Sequence, residues 1–169
     1  MSVLWSKMYN DSELSRIEDL QEKNKSREEL YNKERKWWNE NLSPLFNAIF
    51  QNNFTINNSK NIINAQAESF GYRQMLNDKI SKYAQELTKV KSETRVLAQK
   101  KFLFYSTGFD MKVNLGEKKL LIEGNLSENT RTSDLIETQI EFLRNTIKTL
   151  ESYQFSIKNI ISLLDYLGK

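Results

Sequence analysis

The sequence predicts a mainly α-helical protein whose long helices assemble into a ring-like homo-oligomer. One proline and five glycines in 169 residues leave few positions that interrupt a helix. Two long segments carry apolar residues at alternating steps of four and three, the spacing of a seam between helices. Hydrophobic residues make up only 38% of the chain, which favours seams that are completed by copies of the chain over one large core.

The N-terminal residues 1–56 are predicted to form a helical arm outside the core. Asp11 or Ser12 can cap a first helix that reaches about Trp38. Ser43-Pro44 predicts a separate short helix, because a serine followed by proline is typical of a helix start. The apolar side of the first helix is predicted to contain Leu14, Ile17, Leu20 and Leu30.

The core, residues 57–169, is predicted to begin with a long helix over residues 60–104 that Ser59 caps, after an asparagine-rich loop or extended segment. Its seam consists of Leu76, Ile80, Tyr83, Leu87, Val90, Thr94 and Leu97. Residues 109–124 then change period: Phe109 to Leu115 alternate apolar and polar side chains, and Gly116 is typical of a turn. This pattern predicts a small β-hairpin in which 119–124 is the returning strand.

The C-terminal helices are predicted over residues 130–167. Their stripe is interrupted only by Gln154, and burial inside the protomer competes with an interface between sister chains. The interface is favoured, because both long helices carry seams in a chain that is poor in apolar residues. The predicted interface residues are Ile136, Ile140, Leu143, Ile147, Leu150, Ile157, Ile161 and Leu164.

Composition also limits the chemistry that the chain can perform. Cysteine and histidine are absent, which excludes disulfides, thiol nucleophiles, serine–histidine relays and the common zinc sites. No paired acidic motif is present, so we expect no enzyme, metal or cofactor. No segment approaches the roughly 18 apolar residues of a membrane span, and the N-terminus lacks the apolar core of a signal peptide. We therefore expect a soluble intracellular protein without a membrane partner.

Charge is distributed unevenly along the chain. Residues 11–34 hold eight acidic and five basic residues, whereas residues 89–101 hold five basic residues and one acidic residue. The stretch QKKFLFYSTG, residues 99–108, follows this basic segment. Two interpretations are open: a single-stranded DNA site in which cations bind phosphates and Phe104 or Tyr105, with Tyr105 preferred, stacks on a base, or a solvated basic face that ends in a buried aromatic plug. The residues themselves favour the plug for the aromatic side chains, because phenylalanine is rarely exposed. The DNA-binding candidates are Lys91, Arg95, Lys100, Lys101 and Tyr105.

Two tryptophans in the N-terminal arm admit two interpretations. Trp37 and Trp38 follow the basic stretch KERK and could stack on bases. Packing or partner contact is favoured for both.

Several motifs of the chain occur in the order and spacing of one known family. They are an aromatic motif, LFYSTG, a strand-like segment with a following acidic turn, FDMKV and LLIEGN, and a C-terminal pattern, QFSIKNIISLLDYLGK. Together with NNSK, YRQMLNDKISKYAQEL and RIEDLQE further upstream, these motifs resemble the UvsY family of recombination mediators from T-even-type bacteriophages. Two departures are Tyr153-Gln154, where the family has Arg-Gly, and the lack of a longer basic loop after Gly108.

The resemblance implies a non-enzymatic protein in the cytoplasm of an infected bacterial host. It implies hexameric or heptameric rings that bind single-stranded DNA and load a RecA-like recombinase onto strands covered by single-strand-binding protein. Lys101 aligns with one family basic position and Lys100 stands in for the other, which falls on Gln99. The alternative function is that of a coiled-coil structural or adaptor protein, such as a virion component, without nucleic-acid binding.

Overall fold

The computed structural model describes residues 11–50, 59–108 and 113–167, and these residues form four α-helices and one π-helical turn. The helices are α1 (Asp11–Phe50), α2 (Ser59–Leu103), α3 (Leu115–Asn125) and α4 (Ser127–Leu167). The π-helical turn (Phe104–Gly108) follows α2 directly. The predicted helical class is therefore confirmed, and α2 and α4 lie close to the predicted ranges.

The predicted hairpin is wrong where it can be compared with the structure. The returning strand lies inside α3, and no strand occurs in the described ranges. Asn114 caps α3: its side-chain oxygen accepts from the Glu117 backbone N–H at 2.9 Å, and the Glu117 carboxylate accepts from the Asn114 N–H at 2.8 Å. This reciprocal capping box outweighs the alternating pattern around it. Residues 109–112 of the predicted first strand lie outside the described residues.

The chain also does not start a new helix at Ser43-Pro44, because α1 continues through Pro44. Leu42 and Leu45 on either side of the proline are both buried. Burial of these side chains sustains the helix although proline lacks the N–H that the preceding turn requires.

Contacts divide the described residues into two compact units. The first unit contains α1 up to Leu30, the residues from Gln85 to the end of α2, the π-helical turn, α3, and α4 up to Thr138. In its interior, Asn24 is fully buried and its side-chain oxygen accepts from the Thr132 hydroxyl at 2.7 Å. The Asn24 amide donates to the Glu128 carbonyl at 3.0 Å. Both polar groups of the buried Asn24 side chain therefore have a hydrogen-bond partner.

The second unit contains α1 from Tyr31, α2 up to Ala84, and α4 from Gln139. Aromatic pairs connect its helices at ring-centroid distances of 5.2 Å (Tyr31–Tyr83), 6.0 Å (Trp38–Tyr72) and 5.6 Å (Phe46–Tyr153).

The core of the second unit also contains a polar layer around Glu34. This carboxylate accepts from the Tyr83 hydroxyl at 2.6 Å and from the Gln139 amide at 2.9 Å, and it pairs with the Lys79 ammonium at 2.5 Å. Burial by itself raises the pKa of Glu34, but these hydrogen bonds and the Lys79 charge outweigh it and lower the pKa below its usual value.

The stripe predicted as an oligomer interface is largely core of the single chain. Five of its eight members are buried without any partner chain: Ile136, Ile140, Leu143, Leu150 and Ile157. Ile147, Ile161 and Leu164 are half-buried. In the second unit α1 contacts α4 within the same chain: the Arg35 guanidinium donates to the Gln139 side-chain oxygen at 2.7 Å, and Phe46 packs on Tyr153 at 5.6 Å between ring centroids.

The buried side of α1 differs from the predicted one. Leu14 and Leu30 are exposed, and Ile17 and Leu20 are half-buried. The buried line instead follows steps of seven and consists of Asn24, Tyr31, Trp38 and Leu45.

Candidate nucleic-acid interface

The end of α2 changes helical geometry where the predicted DNA site lies. After Leu103 the chain forms the π-helical turn, and the Thr107 hydroxyl donates to the Leu103 carbonyl at 2.9 Å. A π-helical turn is wider than an α-helical turn and shifts the direction of the side chains that follow. It therefore determines which aromatic residues of the LFYSTG motif face inward.

Tyr105 is the aromatic residue that faces inward. Only 2% of it is exposed, and its hydroxyl accepts from the Asn125 amide of α3 at 2.7 Å. Its ring therefore offers no open face to a base. By contrast, 46% of Phe102 and 43% of Phe104 is exposed, although phenylalanine is usually buried. Tyr105 therefore matches the interpretation of a buried aromatic plug, whereas Phe102 and Phe104 lie at the surface.

Two of the four predicted DNA-binding cations form ion pairs with carboxylates of the same chain. The Lys91 ammonium pairs with Glu137 of α4 at 2.5 Å and stays exposed. Lys101 is only 8% exposed and pairs with Glu13 of α1. Burial lowers the pKa of the Lys101 ammonium. Lys101 therefore belongs to the interior of the first unit, and a strand cannot reach it in this conformation.

Arg95 and Lys100 remain exposed and have no ion pair within the described part of the chain. They do not share a face of α2. Arg95 lies seven residues before Phe102, two helical turns away on the same side. Lys100 lies four residues before Phe104 and points to a different side. The predicted set is thus divided between two faces.

Lys118 of α3 completes one of these faces, and the sequence interpretation missed it. Its ammonium lies 6.0 Å from the centroid of the Phe102 ring and donates to the Ser106 hydroxyl at 3.3 Å. A cation at this distance from a ring is attracted to its π face. We call Arg95, Phe102 and Lys118 the cation–aromatic strip. The capping motif Asn114-x-x-Glu117 was the available signal, because it places Lys118 in the first turns of a helix.

The two tryptophans pack against other aromatic rings of the chain. Trp38 is fully buried against Tyr72, whereas Trp37 is partly exposed and contacts Trp38 edge-on at 4.8 Å between ring centroids.

Within the described residues, no cluster of three or more acidic side chains could hold a metal ion.

Comparison of the chain with protein-family models, curated proteins and solved structures gives no match. No helix in the described ranges is long and apolar enough to span a membrane.

Proposed function

We propose that the protein is a non-enzymatic, single-stranded DNA-binding recombination mediator, and that DNA binds on the cation–aromatic strip. The observation that carries the proposal is the position of the Lys118 ammonium over the exposed Phe102 ring, with Arg95 two turns along the same face. Cations next to an accessible ring suit a single strand, because its phosphates and unpaired bases are available together.

The two kinds of contact contribute in measurable amounts. A plot of the logarithm of the binding constant against the logarithm of the salt concentration has a slope, called here the salt slope, that becomes steeper by about 0.7 for each phosphate neutralised on a single strand. One such contact therefore changes affinity about fivefold between 1 M and 0.1 M salt. A stacked base adds about 1–3 kcal/mol. One protomer therefore binds weakly, and repeated sites on an oligomer would hold a strand by multivalency.

The resemblance to the UvsY family supports the mediator role. A ring of six or seven chains would hold the strand and weaken the binding of the single-strand-binding protein that covers it. The ring would thereby favour nucleation of a RecA-like recombinase in the cytoplasm of an infected host.

Self-association would use apolar side chains near the end of α4 that are exposed in the single chain. These are Phe155, Leu163, Tyr166 and Leu167. They replace the buried stripe as the proposed contacts between sister chains.

The experiment is a titration of fluorescent oligo-dT with the protein at several salt concentrations, followed by anisotropy. We expect the Arg95→Gln/Lys118→Gln variant to lower the salt slope by about 1.4 and to weaken binding by about 25-fold at 0.1 M salt. Phe102→Leu is expected to weaken binding by about 5- to 150-fold without changing the salt slope, because it removes stacking and no charge.

The matched control is Lys25→Gln/Lys33→Gln. Both lysines are exposed and have no ion pair in the described ranges, so this variant loses the same charge away from the strip. If both double variants weaken binding equally, the strip is not the site. If the unaltered protein binds no oligonucleotide at low salt, the DNA-binding function itself is refuted.

A second candidate function is that of a helical adaptor or structural protein that binds no nucleic acid. The exposed apolar side chains near the end of α4 favour it, since they suit protein contacts without requiring DNA. This function predicts self-association or partner binding that does not depend on Arg95 or Lys118, together with no oligonucleotide binding at low salt.

A further inference from the structure

The contact between Glu13 and Lys101 connects two oppositely charged segments of the first unit. Glu13 lies in the first turn of α1, and Lys101 lies in the last turn of α2. The ion pair leaves 23% of the Glu13 side chain and 10% of the Lys101 side chain exposed. The QKKFLFYSTG stretch contains two cations, Lys100 and Lys101, and the buried one, Lys101, is thus paired with a carboxylate.

The start of α1 also presents further negative charge to solvent. Glu18, Glu22 and Glu29 follow one another at steps of four and seven, so they share a face of the helix, on which Lys25 also lies. All three are exposed and have no ion pair in the described part of the chain. Three carboxylates and one ammonium give this face a net negative charge, which repels a nucleic-acid backbone.

We propose that the first turns of α1 are an autoinhibitory cap, in which the Glu13 carboxylate holds Lys101 in place of a DNA phosphate. The inference rests on the proposed DNA-binding function and describes the regulation of that site. A strand that binds the cation–aromatic strip displaces Glu13, and its phosphate takes over the Lys101 ammonium, which lies one residue before Phe102.

The exchange is feasible because it replaces one ion pair by another. Lys101 would not remain buried without a partner, which is the costly situation for a charge in a protein interior. Local opening of a few helical turns requires less free energy than global unfolding. Opening of the first turns breaks the hydrogen bond that the Arg16 guanidinium donates to Asn129 at 3.2 Å. It stops before Asn24, eleven residues after Glu13, which ties α1 to Thr132 and Glu128 in the interior.

Glu13→Gln is the first variant to measure in the oligo-dT titration. Loss of the carboxylate removes the competitor of the phosphate for Lys101, so we expect about fivefold tighter binding at 0.1 M salt with the salt slope of the unaltered protein, in which the phosphate also reaches Lys101. Lys101→Gln alone should change affinity less than twofold, because the exchange of one ion pair for another is nearly balanced, but it should lower the salt slope by about 0.7. The Glu13→Gln/Lys101→Gln double variant should return to the affinity of the unaltered protein, with the lower slope of Lys101→Gln.

Glu18→Gln is the matched control, since it removes the same charge from the same helix. A gain with Glu18→Gln as large as that with Glu13→Gln, or a gain in Glu13→Gln that survives Lys101→Gln, shows long-range repulsion only and overturns the cap. If Arg95→Gln/Lys118→Gln weakens binding but Glu13→Gln has no effect, the cap fails and the strip stands. If no variant binds, both fail.

Amide hydrogen exchange on the unaltered chain provides a test that does not depend on how the variants fold. With saturating oligo-dT, the amides of residues 12–16 should exchange faster, while those around Asn24 keep their protection. Unchanged or greater protection of residues 12–16 on binding overturns the cap.

Discussion

Replacing Leu143 with alanine distinguishes a core side chain from an interface side chain. Leu143 is fully buried within the single chain, and the substitution removes three carbon atoms. At about 0.8 kcal/mol for each buried methylene the loss of transfer free energy is about 2.4 kcal/mol, and the cavity raises the total to between about 2.7 and 5 kcal/mol. For a chain of this length each kcal/mol lowers the melting temperature by about 2–4 °C, so we expect a decrease of about 5–20 °C.

The assay is thermal unfolding followed by circular dichroism at two protein concentrations, with the mass in solution measured in parallel. A core side chain lowers the melting temperature equally at both concentrations, whereas an interface side chain has an effect that depends on concentration. Leu163→Ala on the same helix is the control, because Leu163 is exposed and its loss should change the free energy of unfolding by less than about 0.5 kcal/mol. A Leu143→Ala variant with unchanged stability and a reduced mass would show that the stripe is an interface.

Two further predictions concern the polar interior. Because the folded-state pKa of Glu34 is lowered from its usual value of 4.5, this carboxylate contributes stability above that value, which is lost as the pH falls through the lower folded-state pKa. Urea midpoints between pH 7 and pH 3 should therefore decline less steeply in Glu34→Gln than in the unaltered protein, and equal declines would contradict this assignment. Tyr105→Phe, which leaves the Asn125 amide without the hydroxyl 2.7 Å away, should cost about 0.5–1.5 kcal/mol in urea unfolding. It should leave oligo-dT affinity unchanged, whereas a loss of affinity in a stable variant would return Tyr105 to the site.

The two long helices were predictable because their apolar spacing is sustained over many turns. The predicted range 60–104 compares with Ser59–Leu103 in the structure, and 130–167 compares with Ser127–Leu167. Periodicity reports which side of a helix is buried, but it does not report what covers that side. The choice between sister chains and α1 therefore could not be made from the stripe itself.

α1 was harder to interpret because its buried line begins with a polar residue. Asn24 becomes a core residue only when Thr132 and Glu128, more than a hundred positions away, supply its hydrogen-bond partners. Exposed leucines such as Leu30 then misdirected the choice of the apolar side. The hairpin error was different, since the Asn114-x-x-Glu117 capping box was visible in the sequence.

The candidate site was predictable as a segment and not as a surface. The sequence located the basic end of α2 next to the aromatic LFYSTG motif, and Arg95 and Lys100 lie there in the structure. Which ring turns inward depends on the π-helical turn and on Asn125. The contribution of Lys118 depends on how α3 packs on the first unit.

The buried polar contacts of the second unit restrict how its length can change during evolution. One contact joins Tyr83 and Gln139 through Glu34, and another joins Ser69 to Gln154, whose amide donates to the serine hydroxyl at 3.1 Å. Between the two, α2 spans fourteen positions and α4 spans fifteen. An insertion or deletion in one helix alone would move its polar side chains away from their hydrogen-bond partners and place them against apolar side chains. Gains or losses of whole heptads must therefore occur in α2 and α4 together.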